Sequence, residues 1–385
     1  MKKLLLVFAL ILCLGVSAFA LDGEGTRDCP FIIETQDDLL MINDFPDCSF
    51  ELANDIVLEG EWEPLGVYCG GFSGILDGKG HTISNLTITE YYSDIGLFCS
   101  NHGTIKNLKI ITSNKGIAID SSYSVKVGVL CGSNNGTIEQ CVAVGNITVY
   151  GECYAGGICS SNYGALISNC RAFINLTFNS GYSAGIVSNN GNASFGIGKI
   201  KNCYAVTNYS IDGSGKKYGI ALSGYVYDSF YDRDVSGCTD TGRGDQKSTT
   251  AMKMKLTYTK AGWDFDNVWG ISKEINDGYP YLLWEYPEKE ADILTETQAY
   301  EHDGKLVFDV SIYTNAPSKL TQIGLYGEGG RFIRFFMVPN FDSKKDITVV
   351  IDNEEEAISA KIFVWENTES IKPLADCEEV QIVRA

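Results

Sequence analysis

Chemistry at neutral pH needs groups that can take or give a proton, and this chain has few of them. Its imidazoles are His81, His102 and His302. His81 closes an Asp77-Gly-Lys-Gly-His81 turn, where a structural role is expected, and Asp77 is expected to cap backbone amides there rather than serve as a general acid. No HExxH, Gly-x-Ser-x-Gly or phosphate-loop pattern occurs. Glycoside hydrolysis needs two carboxylates flanking the bond, yet from Val127 to Gly185 the only charged residues are Glu139, Glu152 and Arg171. Asp228, Asp232 and Asp234 lie close together without the spacing of a calcium loop. No CxxC pair is present to suggest zinc. Neither a metal nor a cofactor is therefore assigned. The sharpest short string is Arg243-Gly244-Asp245, which matches the tripeptide that animal integrins bind. It lies in a polar stretch, Thr239 to Thr250, expected to be exposed, and coincidence is the favoured explanation for it.

What must position any site is a repeat. Gly96-Leu-Phe-Cys99 leads to Gly103-Thr-Ile105, Gly128-Val-Leu-Cys131 to Gly136-Thr-Ile138, and Gly156-Gly-Ile-Cys159 to Gly164-Ala-Leu-Ile167. Ala184-Gly-Ile-Val187 continues the column toward Ile200-Lys-Asn-Cys203, and the column recurs at intervals of 32, 28 and 28 residues. Such a period predicts a solenoid in which each turn buries its apolar face only against its neighbours. The segments between are short and rich in Ile, Val, Thr and Tyr, broken by Gly, Asn and Ser, so the turns are strands and the expected fold is a parallel β-helix. Asn146, Asn175 and Asn208 precede the late strand of successive units; they suit left-handed turn positions and could stack as a ladder.

Residues 1 to 20 have the form of an export signal: Lys2 and Lys3, an apolar run from Leu4 to Gly15, then Ala18-Phe19-Ala20. An extracellular location, secreted or on a cell surface, follows as an expectation. The chain carries a net charge of −19, which argues against a nucleic-acid partner. Exported chains often use cysteine in disulfides. Here, however, Cys99, Cys131 and Cys159 share one column with Val187, while Cys141, Cys170 and Cys203 share another with Leu108. A position that alternates Cys with Leu or Val behaves as a small buried hydrophobe, so most column cysteines are expected as free thiols. Cys29 and Cys48 lie outside the columns and form the candidate disulfide.

Four regions result. Residues 1–20 are the signal and 21–66 an N-terminal cap, with Thr35 as helix N-cap. Residues 67–284 are the β-helix, ending in an aromatic closing cap that holds Trp263, Trp269 and Trp284. After a charged hinge, 291–385 has six or seven strand-like runs in under 100 residues, expected to form a small β-sandwich.

Phe72-Ser-Gly-Ile-Leu-Asp-Gly-Lys-Gly-His-Thr-Ile-Ser-Asn-Leu86 resembles the opening of the GLUG-repeat proteins, which are secreted bacterial surface proteins. Leu52-Ala-Asn-Asp-Ile56 with Trp62-Glu-Pro-Leu-Gly66, the unit from Gly128, and Gly278-Tyr-Pro-Tyr-Leu282 extend the resemblance over about residues 28 to 284. It implies a right-handed parallel β-helix with an adhesin-like role. Lys361-Ile-Phe-Val-Trp365, followed by Lys372-Pro-Leu374, resembles immunoglobulin-like C-terminal modules of exported proteins from clostridia-like bacteria. The expected function is binding of a glycan or matrix protein without catalysis, with self-association as a further partner mode. A carbohydrate-active β-helix enzyme and a purely structural spacer are the alternatives.

Overall fold

The computed structural model describes residues 21–382 except 193, 195, 241–242, 274, 287–293, 304, 314–318, 342–343, 353–356 and 366–377. The expected export signal at 1–20 and the Lys372-Pro-Leu374 string lie outside the described residues. Two compact units divide the chain, one ending at Glu285 and the other beginning at Tyr286.

The first unit is a β-solenoid of about 6 turns. Each turn contributes short strands to three parallel stacks, here called faces. Face one contains Ser49–Leu52, Ile75–Asp77, Thr104–Lys106, Thr137–Glu139, Leu166–Ser168, Lys199–Lys201 and Tyr225–Tyr227. Face two carries the long strands Lys109–Asp120, Val142–Gly156, Arg171–Ala184 and Tyr204–Ile211. Face three carries Phe98–Asn101, Cys131–Asn134, Cys159–Asn162 and Val187–Asn189. Stacked strands stand about 4.8 Å apart, so like residues fall into ladders. On face one, Phe50, Leu76, Ile105, Ile138, Ile167 and Ile200 are in register and fully buried. Removal of this apolar surface from water drives the coiling, at about 25 cal/mol per Å².

Face three is held by an amide ladder rather than by apolar contact alone. Asn101 donates to Asn134 at 2.8 Å, Asn134 to Asn162 at 2.7 Å, and Asn162 to Asn190 at 2.7 Å. All four side chains are fully buried. The last amide ends on the carbonyls of Gly198 and Tyr225, both at 3.1 Å. The expected ladder at Asn146, Asn175 and Asn208 also forms, but on the solvent side and with a longer final bond, at 3.0 and 3.5 Å. Left-handed backbone falls elsewhere than expected, on the corner formed by Asn107, Gln140, Asn169 and Asn202.

One thiol column follows expectation and the other needs correction. Cys141, Cys170 and Cys203 line the corner between faces one and two. The Cys141 amide donates to the Cys170 sulfur and the Cys170 amide to the Cys203 sulfur, each at 3.4 Å. Each thiol in turn donates to a carbonyl two residues back in its own coil. Ser229 continues the same pattern with its hydroxyl. In the other column Cys131 pairs with Phe98, not Cys99. The coil from Gly96 reaches face three one residue sooner than the coil from Gly128. A one-residue slip reverses the side-chain direction, which leaves Cys99 half-buried outside the column.

Cys29 and Cys48, the expected disulfide, are free thiols. Cys48 packs against the solenoid core, whereas Cys29 is exposed, so the two sulfurs sit in different environments. Burial pushes the Cys153 thiol up to about 12 and that of Cys238 up to about 11, and raises Cys131 and Cys170 well above the ordinary value. Thiolates are the species that alkylate. Among the described cysteines, brief iodoacetamide treatment of the folded protein should therefore mark the exposed Cys29 and Cys69 first. Peptide mapping that found Cys170 labelled at the rate of Cys29 would contradict the corner ladder.

The helix start expected at Thr35 is present. Thr35 caps the helix Gln36–Leu40 in a reciprocal box with Asp38. Rings at Phe31, Phe50, Phe72 and Phe98 carry the core inward from the cap at centroid spacings of 5.7, 6.3 and 5.2 Å. At the turn onto face one, backbones approach so closely that a Cβ on Gly136 would lie 2.1 Å from the Gly103 carbonyl oxygen. Gly136→Ala should destabilise this unit by about 1–3 kcal/mol, read as a lowered midpoint in urea; an unchanged midpoint would show that the coils can spread there.

The segment expected as a closing cap does more than seal an end. Residues 249–285 fold back as a strap across the outward side of face two. There Val142, Arg171, Tyr204 and Phe230 form one column, and Val144, Phe173 and Val206 a second. Met252, Tyr258, Trp263, Trp269, Tyr279 and Leu282 of the strap bury the apolar members of these columns. Trp263 donates its indole N–H to the Asp228 carbonyl at 2.7 Å, and Tyr204 donates its hydroxyl to the Pro280 carbonyl at 2.5 Å. The strap ends near the early turn at Gly80, where a Cβ would meet Trp284 at 3.4 Å.

The second unit holds two antiparallel sheets. One orders Leu294–His302, Lys305–Tyr313 and Lys344–Asp352; the other orders Phe332–Phe341, Lys319–Tyr326, Ser359–Trp365 and Glu378–Gln381. Leu306, Phe308, Ile323 and Leu325 are among its buried side chains.

Candidate binding surface

Most groups that could do chemistry are engaged in holding the coils. Asp77 accepts from the Lys79 amide at 2.9 Å and from Asn107 at 3.0 Å, and pairs with Lys106 at 3.1 Å. Burial would raise its pKa, but these bonds and the Lys106 charge outweigh that and hold the carboxyl below its ordinary value. His81 meets Asp55 at 3.3 Å. Asp232, fully buried, accepts from Tyr279 and Thr249 hydroxyls and from two amides at the start of the helix Arg233–Ser236. Asp234 pairs with Arg233 and takes the Thr249 amide. The acids at 232 and 234 therefore face N–H and O–H donors.

Sequence reasoning passed over a contact between Ser100 and His102, whose Oγ and Nε2 lie 3.4 Å apart. The two residues are separated by one position at the end of a strand. Among the described residues no carboxylate orients the imidazole through its other nitrogen. A serine nucleophile needs both the base and that orienting group, so the pair has the form of an ordinary surface hydrogen bond.

The Arg243-Gly244-Asp245 string lies on the last coil. Arg243 and Asp245 are exposed. Asp245 begins the strand Asp245–Lys247, its amide donating to the Ser229 carbonyl at 2.9 Å and its carboxylate 3.6 Å from Lys247. Gly244 is packed so that a Cβ would lie 2.5 Å from Ile220. Of the tripeptide only Asp245 belongs to the sheet, and Arg243 and Gly244 form the bend that enters it. Gly244 and Asp245 line a cleft of about 710 Å³ with Tyr227, Lys247, Leu256 and Lys260.

Several tyrosines pair on the surface. Tyr91 and Tyr123 stand 5.8 Å apart. Tyr154 and Tyr182 stack at 5.6 Å in a row that runs Asp94, Lys126, Tyr154, Tyr182, Lys216 across five coils. Tyr225 and Tyr227, which sequence reasoning did not single out, stack at 6.1 Å on face one. Alternation along the strand Tyr225–Tyr227 was the available signal, since Val226 must point inward.

No helix among the described residues is long and apolar enough to cross a membrane. No family model matches the chain. Over 91 residues the chain is 41% identical to a protein of Evansella cellulosilytica provisionally named a Gly-rich membrane protein, a match covering 22% of this chain and 10% of that protein. Over 161 residues it is 33% identical to halomucin of Haloquadratum walsbyi, covering 38% of this chain and 2% of that protein. The chain thus spans a tenth or less of the curated relatives it matches. A solved structure provisionally described as an immunoglobulin A1 protease of Bacteroides ovatus aligns with a TM-score of 0.49 at 18% identity, over 68% of this chain and 94% of that one.

Proposed function

We propose that this chain is an exported surface-type protein of the GLUG-repeat kind, whose solenoid is a stiff scaffold for binding a glycan or matrix protein without catalysis. The observation that carries the reading is a division of labour among side chains. Titratable groups inside the coils are tied up in ladders and corners, while stacked aromatics and lysines stand outward on regular rows. Rows at a fixed spacing suit a ligand that is itself extended. The signal-like residues 1–20 and the relative named as a membrane protein both favour display outside the cytoplasm. Among the described residues, seven strands divided three and four favour an immunoglobulin-like accessory module in the second unit.

The test is binding of the purified protein to a broad glycan and matrix-protein panel, with any product followed by mass. Saturable binding without product is the expected result. Silence across the panel would overturn the reading, and a new sugar product would replace it with a carbohydrate-active enzyme. An Asp245→Glu variant run in parallel decides the tripeptide: wild-type binding by this variant leaves Arg243-Gly244-Asp245 a coincidence.

A further inference from the structure

The sheet that forms face one ends at Tyr225–Tyr227, and its last two strands differ from the rest. Lys199 is in register with Tyr225 and Lys201 with Tyr227, while Ile200 and Val226 between them point inward. The outward side of these two coils therefore carries two lysines beside two tyrosines in a flat array. Neighbouring coils are about 4.8 Å apart and alternate residues on one strand about 7 Å apart. Both lysines are exposed, and neither forms an ion pair with a carboxylate among the described residues. The tyrosine rings are half exposed, at 49% and 47%, and nearly parallel, with 24° between their planes.

Charge isolates this end of the solenoid from the rest of the chain. From Lys199 to Lys260 the sequence has ten lysines and arginines against six aspartates and no glutamate, within a chain of net charge −19. The other aromatic pairs lack the combination. Tyr91 and Tyr123 follow Glu90 and Asp120 closely and lie outside the strands, so neither is in register with a lysine as Tyr225 and Tyr227 are. Tyr154 and Tyr182 are less exposed, and of the two lysines in their row Lys126 is held by Asp94 at 3.4 Å, which leaves Lys216 alone beside them, 5.9 Å over the Tyr182 ring.

We propose that Lys199, Lys201, Tyr225 and Tyr227 form a binding site for an acidic polysaccharide, a deepening that rests on the glycan-binding reading above. Apolar C–H faces of the pyranose rings lie against the tyrosines, and the carboxylate or sulfate groups meet the lysines. A net charge of −19 disfavours an anionic polymer over the chain as a whole, while the lysine and arginine excess around these coils, Asp228 and Asp245 notwithstanding, favours its docking here. Tyrosine supplies rigid, amphipathic contact area at low entropic cost, and neutral sugars would have only that half of the site.

The experiment measures affinity of the full-length protein for polygalacturonate, for a sulfated glycosaminoglycan and for neutral dextran, at low and at physiological salt. Wild type, Lys199→Ala/Lys201→Ala and Tyr225→Ala/Tyr227→Ala are compared, each first checked for an unchanged melting curve. Binding to one or both acidic polymers, at least tenfold tighter than to dextran and weakened by salt, is expected. Either double variant should lose at least tenfold, and the lysine variant should also show a shallower salt dependence. The preferred acidic polymer distinguishes carboxylated from sulfated ligands. Variants that bind the acidic polymers as wild type does would overturn this site while leaving the binding function standing. Equal affinity for dextran would overturn the charge assignment. New self-association of the lysine variant, relative to wild type, with glycan affinity intact would show that the lysines only guard the sheet edge, which also overturns the site. Silence toward these three polymers alongside binding to another panel member removes this inference alone, whereas silence toward the whole panel removes both.

Discussion

Glu285→Gln is expected to destabilise the solenoid unit by about 3–5 kcal/mol, the range for breaking a buried ion pair from one side. The Glu285 side chain is fully buried and that of Arg171 is 2% exposed. Arg171 binds it with both Nε, at 2.9 Å, and a terminal nitrogen, while Lys109 lies 3.3 Å away and the Leu282 amide donates at 3.0 Å. Arg171 occupies an otherwise apolar outward column between Val142 and Tyr204, so without the carboxylate its charge has no aqueous alternative. Exposed pairs set the contrast. Asp277, which meets Lys253 at 2.8 Å, is 87% exposed, and Asp277→Asn should cost at most about 1 kcal/mol. The double change Arg171→Met with Glu285→Leu should recover much of the loss, because it removes the buried charges together; Lys109, at 21% exposure, can still reach solvent. Urea denaturation of the four proteins decides the matter. Equal destabilisation by the single and double changes would mean that shape, not charge, matters at this position.

The pH dependence has a defined sign. Burial alone would raise the Glu285 carboxyl, but the Arg171 charge and hydrogen bonds, with Lys109 and the Leu282 amide, more than compensate and hold it below its ordinary value. A group with a depressed folded pKa contributes stability that is present above its unfolded value, about 4.3, and lost as pH falls through the folded value. The stability gap between wild type and Glu285→Gln should therefore be full near neutrality and shrink in acid below about pH 4.

Asn162→Leu is the second large effect, at about 2–5 kcal/mol, because it strands several buried groups at about 1–3 kcal/mol each. Asn134 loses its acceptor, Asn190 loses its side-chain donor, and the Ala165 carbonyl loses a bond of 3.1 Å. Asn101→Leu, at the start of the ladder, should cost somewhat less, since it strands two groups, the Asn134 oxygen and the Gly103 amide, rather than three. Asn162→Asp should be worse than Leu at neutral pH, because its carboxylate would face the Asn190 oxygen and the Ala165 carbonyl. Burial and those acceptors would raise its folded pKa, so its stability should improve as pH falls, opposite in sign to Glu285. Melting temperatures of the three variants at neutral and acid pH test the order; equal loss at 101 and 162 would show that the ladder is not cooperative.

Repetition made the fold legible. A glycine column and an isoleucine column at nearly constant spacing leave few ways to bury apolar residues, and Gly96, Gly128, Gly156 and Ala184 indeed fall in register. Local alignment was weaker evidence than period: Cys99 looked like its neighbours in the column, but the shorter coil before it moves Phe98 into the slot. The buried amide ladder was written in the sequence as Ser-Asn at 100–101, 133–134 and 161–162, continued by Asn-Asn at 189–190. It escaped notice because asparagine was associated with left-handed turns, and in a buried row its donor–acceptor symmetry matters instead. The strap was the hardest part. An aromatic segment says that it covers something without saying what. The clue lay in face two, where Val142, Ala143 and Val144 are apolar at both parities, the pattern of a strand covered on both sides. The outward lysine and tyrosine array could not be found from period, since only the last two coils carry it.

The strap also fixes the order in which this unit can be completed. Coils can form one upon another as the chain emerges from its N-terminus, yet the outward apolar columns of face two stay uncovered until residues 249–285 arrive. During synthesis there is then an interval in which a nearly finished solenoid displays Phe173, Tyr204 and Phe230 to other chains. Arg171 waits within that bare surface for a partner 114 residues later. A nascent chain stalled between the last coil and Glu285 would be the sticky species, and the strap acts as its built-in chaperone.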